Sequence, residues 1–230
     1  MEAVILAGGF GTRLRTVVKD VPKPMAPVAG KPFLEILLLR LSQRGFNHVV
    51  LSLGYLSDVI IRHFGGRAFG MQLTHVVEDE PLGTGGAVRL ALSRCDERHV
   101  YIFNGDTFLD LEIPDLERLW QLRQEPIVVA REVDDAARYG HLEIENGHIR
   151  RFAEKGRSGP GLINAGSYVL PRDALRQFEL NRPFSLEQDF LSPSAQKIPL
   201  RVFVSQGYFI DIGIPEDFAR AQIDLLRYIR

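Results

Sequence analysis

The stretch Ala3-Val4-Ile5-Leu6-Ala7-Gly8-Gly9-Phe10-Gly11-Thr12-Arg13-Leu14, followed by Val21-Pro22-Lys23-Pro24-Met25, decides the fold of this chain. The apolar run Ala3 to Leu6 reads as a buried strand feeding a glycine-rich loop. Glycine has no Cβ, so the backbone N–H groups of such a loop approach a ligand closely. Arg13 and Lys23 add cations suited to a polyphosphate. The spacing fits neither G-x-G-x-x-G nor G-x-x-x-x-G-K-[ST], which sets aside the dinucleotide fingerprint and the ATPase P-loop. Lys23 stands between two prolines, which fix φ on either side and restrict the residue before each. That stiffness suits a lysine holding one phosphate in one place. Taken alone, the same residues also describe a tight strand-to-loop turn and a solvated loop lysine.

Working outward, 3–7 is read as a strand, 33–44 as a helix ending at Gly45, and His48 to Leu53 as a second strand. A short helical pattern at 57–64 follows, then a strand from Gln72 to Val77 and helical spacing from Gly85 to Arg94. His99 to Phe103 is a fourth strand, ending at Asn104-Gly105-Asp106. Strands alternating with helices predict an α/β, Rossmann-like three-layer sandwich with a mostly parallel central sheet. Ligands of such sheets bind beyond the carboxyl ends of the strands, so the first loop and the Asn104–Asp106 turn are expected to line one crevice.

After about residue 125 the texture changes. Ile127 to Ala130, Gly140 to Ile144, His148 to Phe152 and Leu162 to Val169 read as strands with short turns, and Asn146-Gly147 is a hairpin signal. They predict a mixed or antiparallel extension, a second lobe of a single domain spanning 1–230, with halves 1–125 and 126–230. Pro215 opens a closing helix carrying Phe218, Ala221, Leu225 and Ile229 on one face.

Composition narrows the classes of function. A length of 230 residues with 45% hydrophobic and 25% charged residues suits a globular chain with a sizeable core. A net charge of -1 argues against a general binder of nucleic acid or membrane surface. The single cysteine, Cys95, excludes an internal disulfide framework and suits a reducing cytoplasm; its apolar helical setting reads as a buried structural thiol. No apolar run is long enough to span a membrane, and no signal peptide or internal repeat is evident.

Asp106 and Asp211 are carboxylates in apolar neighbourhoods, costly to bury unless paired or bound to a metal. Beside a phosphate loop they suggest Mg²⁺, which is commonly held by one or two carboxylates plus phosphate oxygens; a turn cap satisfying local donors is the alternative. Glu78-Asp79-Glu80-Pro81-Leu82-Gly83-Thr84-Gly85-Gly86-Ala87 is a second glycine-rich segment, in which small residues admit something flat. The Glu78 carboxylate suits the paired N1–H and N2–H₂ donors of guanine, while Asp79 and Glu80 read as solvated acids. Glu154-Lys155 reads as hydroxyl- and phosphate-binding or as an ordinary surface pair. Ser185-Leu186-Glu187-Gln188 matches a capping box, which accounts for Ser185 and Gln188 structurally and leaves Glu187 and Asp189 as weak candidates. The six histidines show no metal spacing and no nucleophile motif.

Together these segments resemble the sugar-phosphate nucleotidyltransferases over essentially the whole chain. Pro22-Lys23-Pro24, Pro81 to Ala87, Asn104-Gly105-Asp106, Glu154-Lys155, Asn164-Ala165-Gly166 and Asp211 occur in the family's order. The resemblance implies transfer of a nucleotidyl group from an NTP to a sugar 1-phosphate, with Mg²⁺ as cofactor and pyrophosphate released. It implies a nucleotide-binding half in 1–125 and a sugar-phosphate-binding half in 126–230. Leu6, Gly8, Gly9, Gly11, Thr12 and Arg13 would hold the nucleotide, Lys23 the α-phosphate, and Glu78 and Gly83 the base. Asp106 and Asp211 would hold the metal, and Gly140, Glu154, Lys155 and Asn164 the sugar phosphate. Arg13, Lys23, Asp106 and Asp211 would carry catalysis.

Within the family, Lys19 to Pro27, Glu80 to Gly86 and Asn104 to Phe108 are most similar to the D-glycero-α-D-manno-heptose 1-phosphate guanylyltransferases, which serve capsule or lipopolysaccharide synthesis. The chain stops after one catalytic unit, unlike relatives with a C-terminal β-helix. The expected partners are GTP and a sugar 1-phosphate, with no nucleic acid or membrane, and the second lobe has an exposed face open to a homo-oligomer. Rival readings are transfer from UTP or dTTP to mannose, glucose or N-acetylmuramic acid 1-phosphate, and a non-catalytic nucleotide-sugar sensor.

Overall fold

A computed structural model describes residues 1–9, 11, 14, 18, 21–153, 156 and 158–229. The first half runs β1 (Glu2–Leu6), a ribbon of β2 (Pro27–Val28) and β3 (Lys31–Pro32), α1 (Phe33–Gln43), β4 (His48–Leu53), α2 (Ser57–Phe64), β5 (Arg67–Ala68), β6 (Met71–Val77), α3 (Gly83–Leu92) and β7 (His99–Asn104). The second runs β8 (Thr107–Leu109), α4 (Ile113–Arg123), β9 (Ile127–Val133), β10 (Leu142–Glu145), β11 (His148–Phe152) and β12 (Gly161–Pro171). A π-turn (Leu186–Leu191) continuing into α5 (Ser192–Ser194) follows, then β13 (Arg201–Ser205), β14 (Phe209–Asp211) and α6 (Pro215–Asp224).

Ten strands form one sheet in the order β10-β11-β13-β9-β12-β7-β1-β4-β6-β5. Strands β7, β1, β4 and β6 are parallel, as the alternation with helices predicts. β12 joins β7 antiparallel, and β13 pairs with β9 in parallel, so the extension is mixed. Along β1, Ala3 and Ile5 enter the core on one face of the sheet, while Val4 joins Val50, Val100 and Ile102 in the core on the other. A strand covered on both faces must be apolar at successive positions, which is why the Ala3–Leu6 run shows no alternation. The Asn146-Gly147 turn takes positive φ at both residues, 52° and 75°, and closes the β10–β11 hairpin. Cys95 is buried, and burial pushes its thiol up to about 12.

Two elements differ from the sequence reading. The strand expected from Gly140 begins at Leu142, with His141 in an isolated bridge to Ile163. At Gly140, a Cβ would stand 2.8 Å from the Ala153 carbonyl, which is too close for an ordinary side chain. The capping box is only half formed. Ser185 Oγ accepts from Gln188 N at 3.1 Å, but Ser185 N donates to Asp189 Oδ2, at 2.7 Å, and not to the Gln188 side chain. The wider i→i+5 winding of the π-turn carries the returning side chain one residue further along the chain.

Glu2 is buried at the foot of β1 and is held in place by charge-assisted hydrogen bonds. One carboxylate oxygen accepts from Asp96 N and Glu97 N at 2.7 Å each, and the other meets His48 Nδ1 at 2.7 Å. Burial pushes its pKa up, but the Glu97 and Asp96 amides and His48 outweigh this and hold it below the ordinary 4.5. We expect Glu2→Ala to lower unfolding free energy by about 2–3 kcal/mol at neutral pH, read as a shift in denaturant midpoint. A folded pKa below the unfolded one stabilises above the unfolded value, and the gain is lost as pH falls through the folded value. The wild-type advantage is therefore expected to shrink on acidification below about pH 4.5.

Candidate active site

The chain leaves β1 for β4 on one side and returns through α3 to β7 on the other, so the strand order reverses at β1. The carboxyl ends on either side of that reversal bound a crevice, where open α/β sheets bind their ligands. A cavity of about 430 Å³ lies there, lined by Leu6, Gly8, Gly9, Gly11, Lys23, Glu78, Gly83 and Asp106 among others. These eight were singled out from sequence. Ser52, Thr84, Asn104 and Gly213 also line it. Ser52 is the penultimate residue of β4, beside the switch point, a position legible as cavity-lining, whereas Thr84 and Gly213 lie inside motifs read for their other residues.

Close backbone approach explains the glycines. Gly105 N donates to Leu6 O at 2.8 Å, and a Cβ on Gly105 would stand 2.6 Å from that same oxygen. A Cβ on Gly8 would stand 3.0 Å from Gly54 N and 3.2 Å from Glu78 Oε1. No atom of the described residues lies within 4 Å of the Cβ position at Gly9, which itself lines the cavity. Gly83 opens α3 with φ +66°, and a Cβ there would meet Phe184 O at 2.6 Å.

Lys23 and Asp106 line the cavity, and Asp211 stands beside them just outside its lining. Lys23 begins a one-turn 3₁₀ helix after Pro22, whose φ of −64° is that of its ring. Its Nζ lies 2.5 Å from Asp106 Oδ2 and 3.7 Å from Asp211 Oδ1. The ribbon pairing Thr107 with Asp211 brings the two carboxylates together across 105 residues of chain, and Ile212 N donates to Asp106 O at 3.0 Å. Asp211 Oδ1 also accepts from Gly213 N at 2.7 Å. Among the described residues no group of three or more acidic, histidine or cysteine side chains is arranged to hold a metal ion. The pair nevertheless accommodates a cation, because the Lys23 ammonium already lies within reach of both. Two carboxylates and one lysine leave a net charge of about −1, and phosphate oxygens would complete a divalent ion's shell.

Glu78 also lines the cavity. Its Oε2 accepts from Leu82 N at 2.8 Å and its Oε1 from Ser52 Oγ at 3.4 Å, so it orders the loop that precedes α3. Burial is the largest influence on this carboxyl and raises its pKa, against the Leu82 amide and Ser52 hydroxyl, which lower it.

Gly140 and Asn164 are brought together outside the lining of the cavity, around Glu187. The pairing of β12 with β9 is irregular between Asn164 and Tyr168, and Gly166 there has φ +68°. A side chain at Gly166 would run into Asn104, which places this bulge against the cavity wall. Thr12, Arg13, Glu154 and Lys155 lie outside the described residues.

Residues 2–227 match the family model described as nucleotidyl transferase. The chain is 39% identical over 230 residues to a D-glycero-alpha-D-manno-heptose 1-phosphate guanylyltransferase of Aneurinibacillus thermoaerophilus, with all of both chains covered. It is 40% identical over 220 residues to the enzyme of the same name from Campylobacter jejuni, covering 95% of this chain and 97% of that one. The crystal structure of HddC from Yersinia pseudotuberculosis complexed with GMP-PN superposes with a TM-score of 0.85 at 39% identity, covering 96% of this chain and 97% of that one.

The close approach at Gly105 is directly testable. We expect Gly105→Ala to push the ends of β1 and β7 apart, costing about 1–3 kcal/mol of stability by overpacking. Weaker binding of a GTP analogue in calorimetry should accompany the lower denaturant midpoint.

Proposed function

Because the chain belongs to the nucleotidyl transferase family, we propose that it transfers GMP from GTP to D-glycero-α-D-manno-heptose 1-phosphate, giving GDP-heptose and pyrophosphate. The observation that carries this reading is Lys23 between Asp106 and Asp211 at the mouth of a glycine-lined cavity, in a chain alike over its full length to enzymes of that name. A phosphate oxygen of the sugar 1-phosphate attacks the α-phosphorus in line. The new O–P bond forms as the bond from the α-phosphorus to the bridging oxygen breaks, and its electron pair leaves on pyrophosphate. The nucleophile is already ionised at neutral pH, so no general base is needed. That accords with a cavity lined by no histidine among the described residues.

The obstacle is the meeting of two anions, and preorganised cations are the remedy. Lys23 neutralises the α-phosphate, held by its flanking prolines. Asp106 and Asp211 would hold Mg²⁺, which when bound would supply charge neutralisation to the triphosphate and the leaving pyrophosphate. Glu78 accepts from guanine N1–H and N2–H₂, a donor pair that uracil and thymine lack. Arg13 and Thr12 serve the triphosphate, and Gly140, Glu154, Lys155 and Asn164 serve the sugar phosphate. The reaction serves surface polysaccharide synthesis in the cytoplasm, from a single domain divided near residue 125. Among the described residues, no helix is long and apolar enough to cross a membrane.

The test is pyrophosphate release across a matrix of NTPs and sugar 1-phosphates with and without Mg²⁺. GTP with the heptose phosphate is expected to lead, and preference for UTP would overturn the guanylyl reading. Lys23→Ala and Asp106→Asn are each expected to lower kcat by 10²-fold or more, with circular dichroism unchanged. Near-normal turnover in both would overturn the mechanism.

A pH profile isolates Glu78. Guanine needs its ionised form, and burial raises its pKa, so acceptor strength is lost at a higher pH than for an exposed glutamate. The KM for GTP is expected to rise on acidification from above pH 4.5, and Glu78→Gln should raise it about tenfold and flatten the acid limb.

A further inference from the structure

Glu187 lies in the first turn of the π-turn, and the chain before it is tied to the nucleotide side of the molecule. Leu186 N donates to Thr84 Oγ1 at 3.0 Å, and Thr84 lines the cavity. On the other side, Asn164 Nδ2 donates to Tyr168 Oη at 2.9 Å and only distantly to Glu187 Oε2, at 3.4 Å. Asn164 Oδ1 is taken by Gly166 N at 3.1 Å, so both ends of this amide have partners. Glu187 Oε1 lies 4.0 Å from the Cβ position of Gly140 and has no hydrogen bond among the described residues. Gly140, Asn164 and Glu187 therefore bound a niche beside the cavity, and its one strong acceptor is largely unspent.

A structural carboxylate looks different in this molecule. Glu2 is 6% exposed with three contacts at 2.7 Å, whereas Glu187 is exposed with one contact at 3.4 Å. Pairing in the capping box does not explain Glu187 either, since Ser185, Gln188 and Asp189 make those bonds. Its charge also narrows the ligand. A carboxylate repels phosphate and accepts from hydroxyls, so it suits the neutral polyol part of a sugar phosphate and not its anionic end.

We propose that Glu187 is a specificity-determining residue, accepting hydrogen bonds from ring hydroxyls of the sugar 1-phosphate opposite Gly140, with Asn164 as the amide that orients it. This rests on the reading of the acceptor as a sugar 1-phosphate. The tie from Leu186 to Thr84 fixes the distance between the sugar niche and the nucleotide cavity. A sugar with a hydroxyl of the wrong configuration would then leave Glu187 unpaired or displace the reacting phosphate.

The test is steady-state kinetics of wild type, Glu187→Gln and Glu187→Ala with GTP and heptose, mannose or glucose 1-phosphate. Both variants are expected to raise the KM for the sugar 1-phosphate about tenfold or more, with the KM for GTP and the Tm unchanged. The difference between wild type and Glu187→Gln should vanish for the one monodeoxy sugar 1-phosphate that lacks the accepted hydroxyl. An unchanged sugar KM, or a Tm that falls while both KM values move together, overturns the proposal. If the wild type rejects the heptose phosphate but uses another sugar, the heptose reading falls and Glu187 is judged on that sugar. Absence of turnover with every sugar 1-phosphate overturns both.

Discussion

The pairing of β1 with β4 on one side and β7 on the other is the constraint on which the site depends. Parallel strands end at the same edge of a sheet, so the loops after β1, β4, β6 and β7 are delivered to one place without further design. The reversal of strand order at β1 then separates the loops enough to leave a crevice. Gly105 and Gly8 are where that separation is smallest, with backbone against backbone. Glycine at these points is a packing requirement of the sheet edge, and on the proposed function it would also open the loop to phosphate. The same absence of side chains serves both ends.

That edge concentrates charge where burial would ordinarily forbid it. Lys23 has a side chain only 9% exposed, and Asp106 and Asp211 lie within 4 Å of its ammonium. An ion pair so enclosed adds little stability over apolar residues of similar size, because desolvation consumes most of the attraction. Its value lies in what can replace it. The two carboxylates, 35% and 23% exposed, are bridged by a cation that on the proposed mechanism a phosphate would draw away, leaving them to a divalent ion. The same three groups that set the resting geometry would, on the proposed mechanism, carry the transfer chemistry.

What was legible in the sequence follows from how local its cause was. The loop glycines, the prolines around Lys23 and the Asn146-Gly147 turn each impose a conformation within two or three residues, and the structure places them as read. The doubly covered strands were legible from their continuous apolar runs. β8 and β14, three residues each, are too short to show a period, although their pairing unites Asp106 with Asp211. β13 is positioned by a partner some 70 residues away, and nothing in Arg201–Ser205 names β9. α4, from Ile113 to Arg123, was passed over despite Pro114 at its start and buried Ile113, Leu116 and Trp120 at helical spacing. Glu187 was discounted because its neighbours matched a capping box, and the box in fact closes through Asp189.

The π-turn explains why that misreading matters. In an α-helix, a Ser185 cap with a return bond from Gln188 would set Glu187 by the 3.6-residue turn. Widening the turn by one residue moves the return bond to Asp189 and rotates the intervening positions. Glu187 then stands near Asn164 while Leu186 N still reaches Thr84. Turns of this kind are frequent at functional sites. Here the extra winding joins an element of the sugar-side lobe to the first turn of α3, the helix that opens at the nucleotide cavity. A change in sugar preference within this scaffold would therefore be sought in the geometry of residues 185–189 as much as in the identity of residue 187.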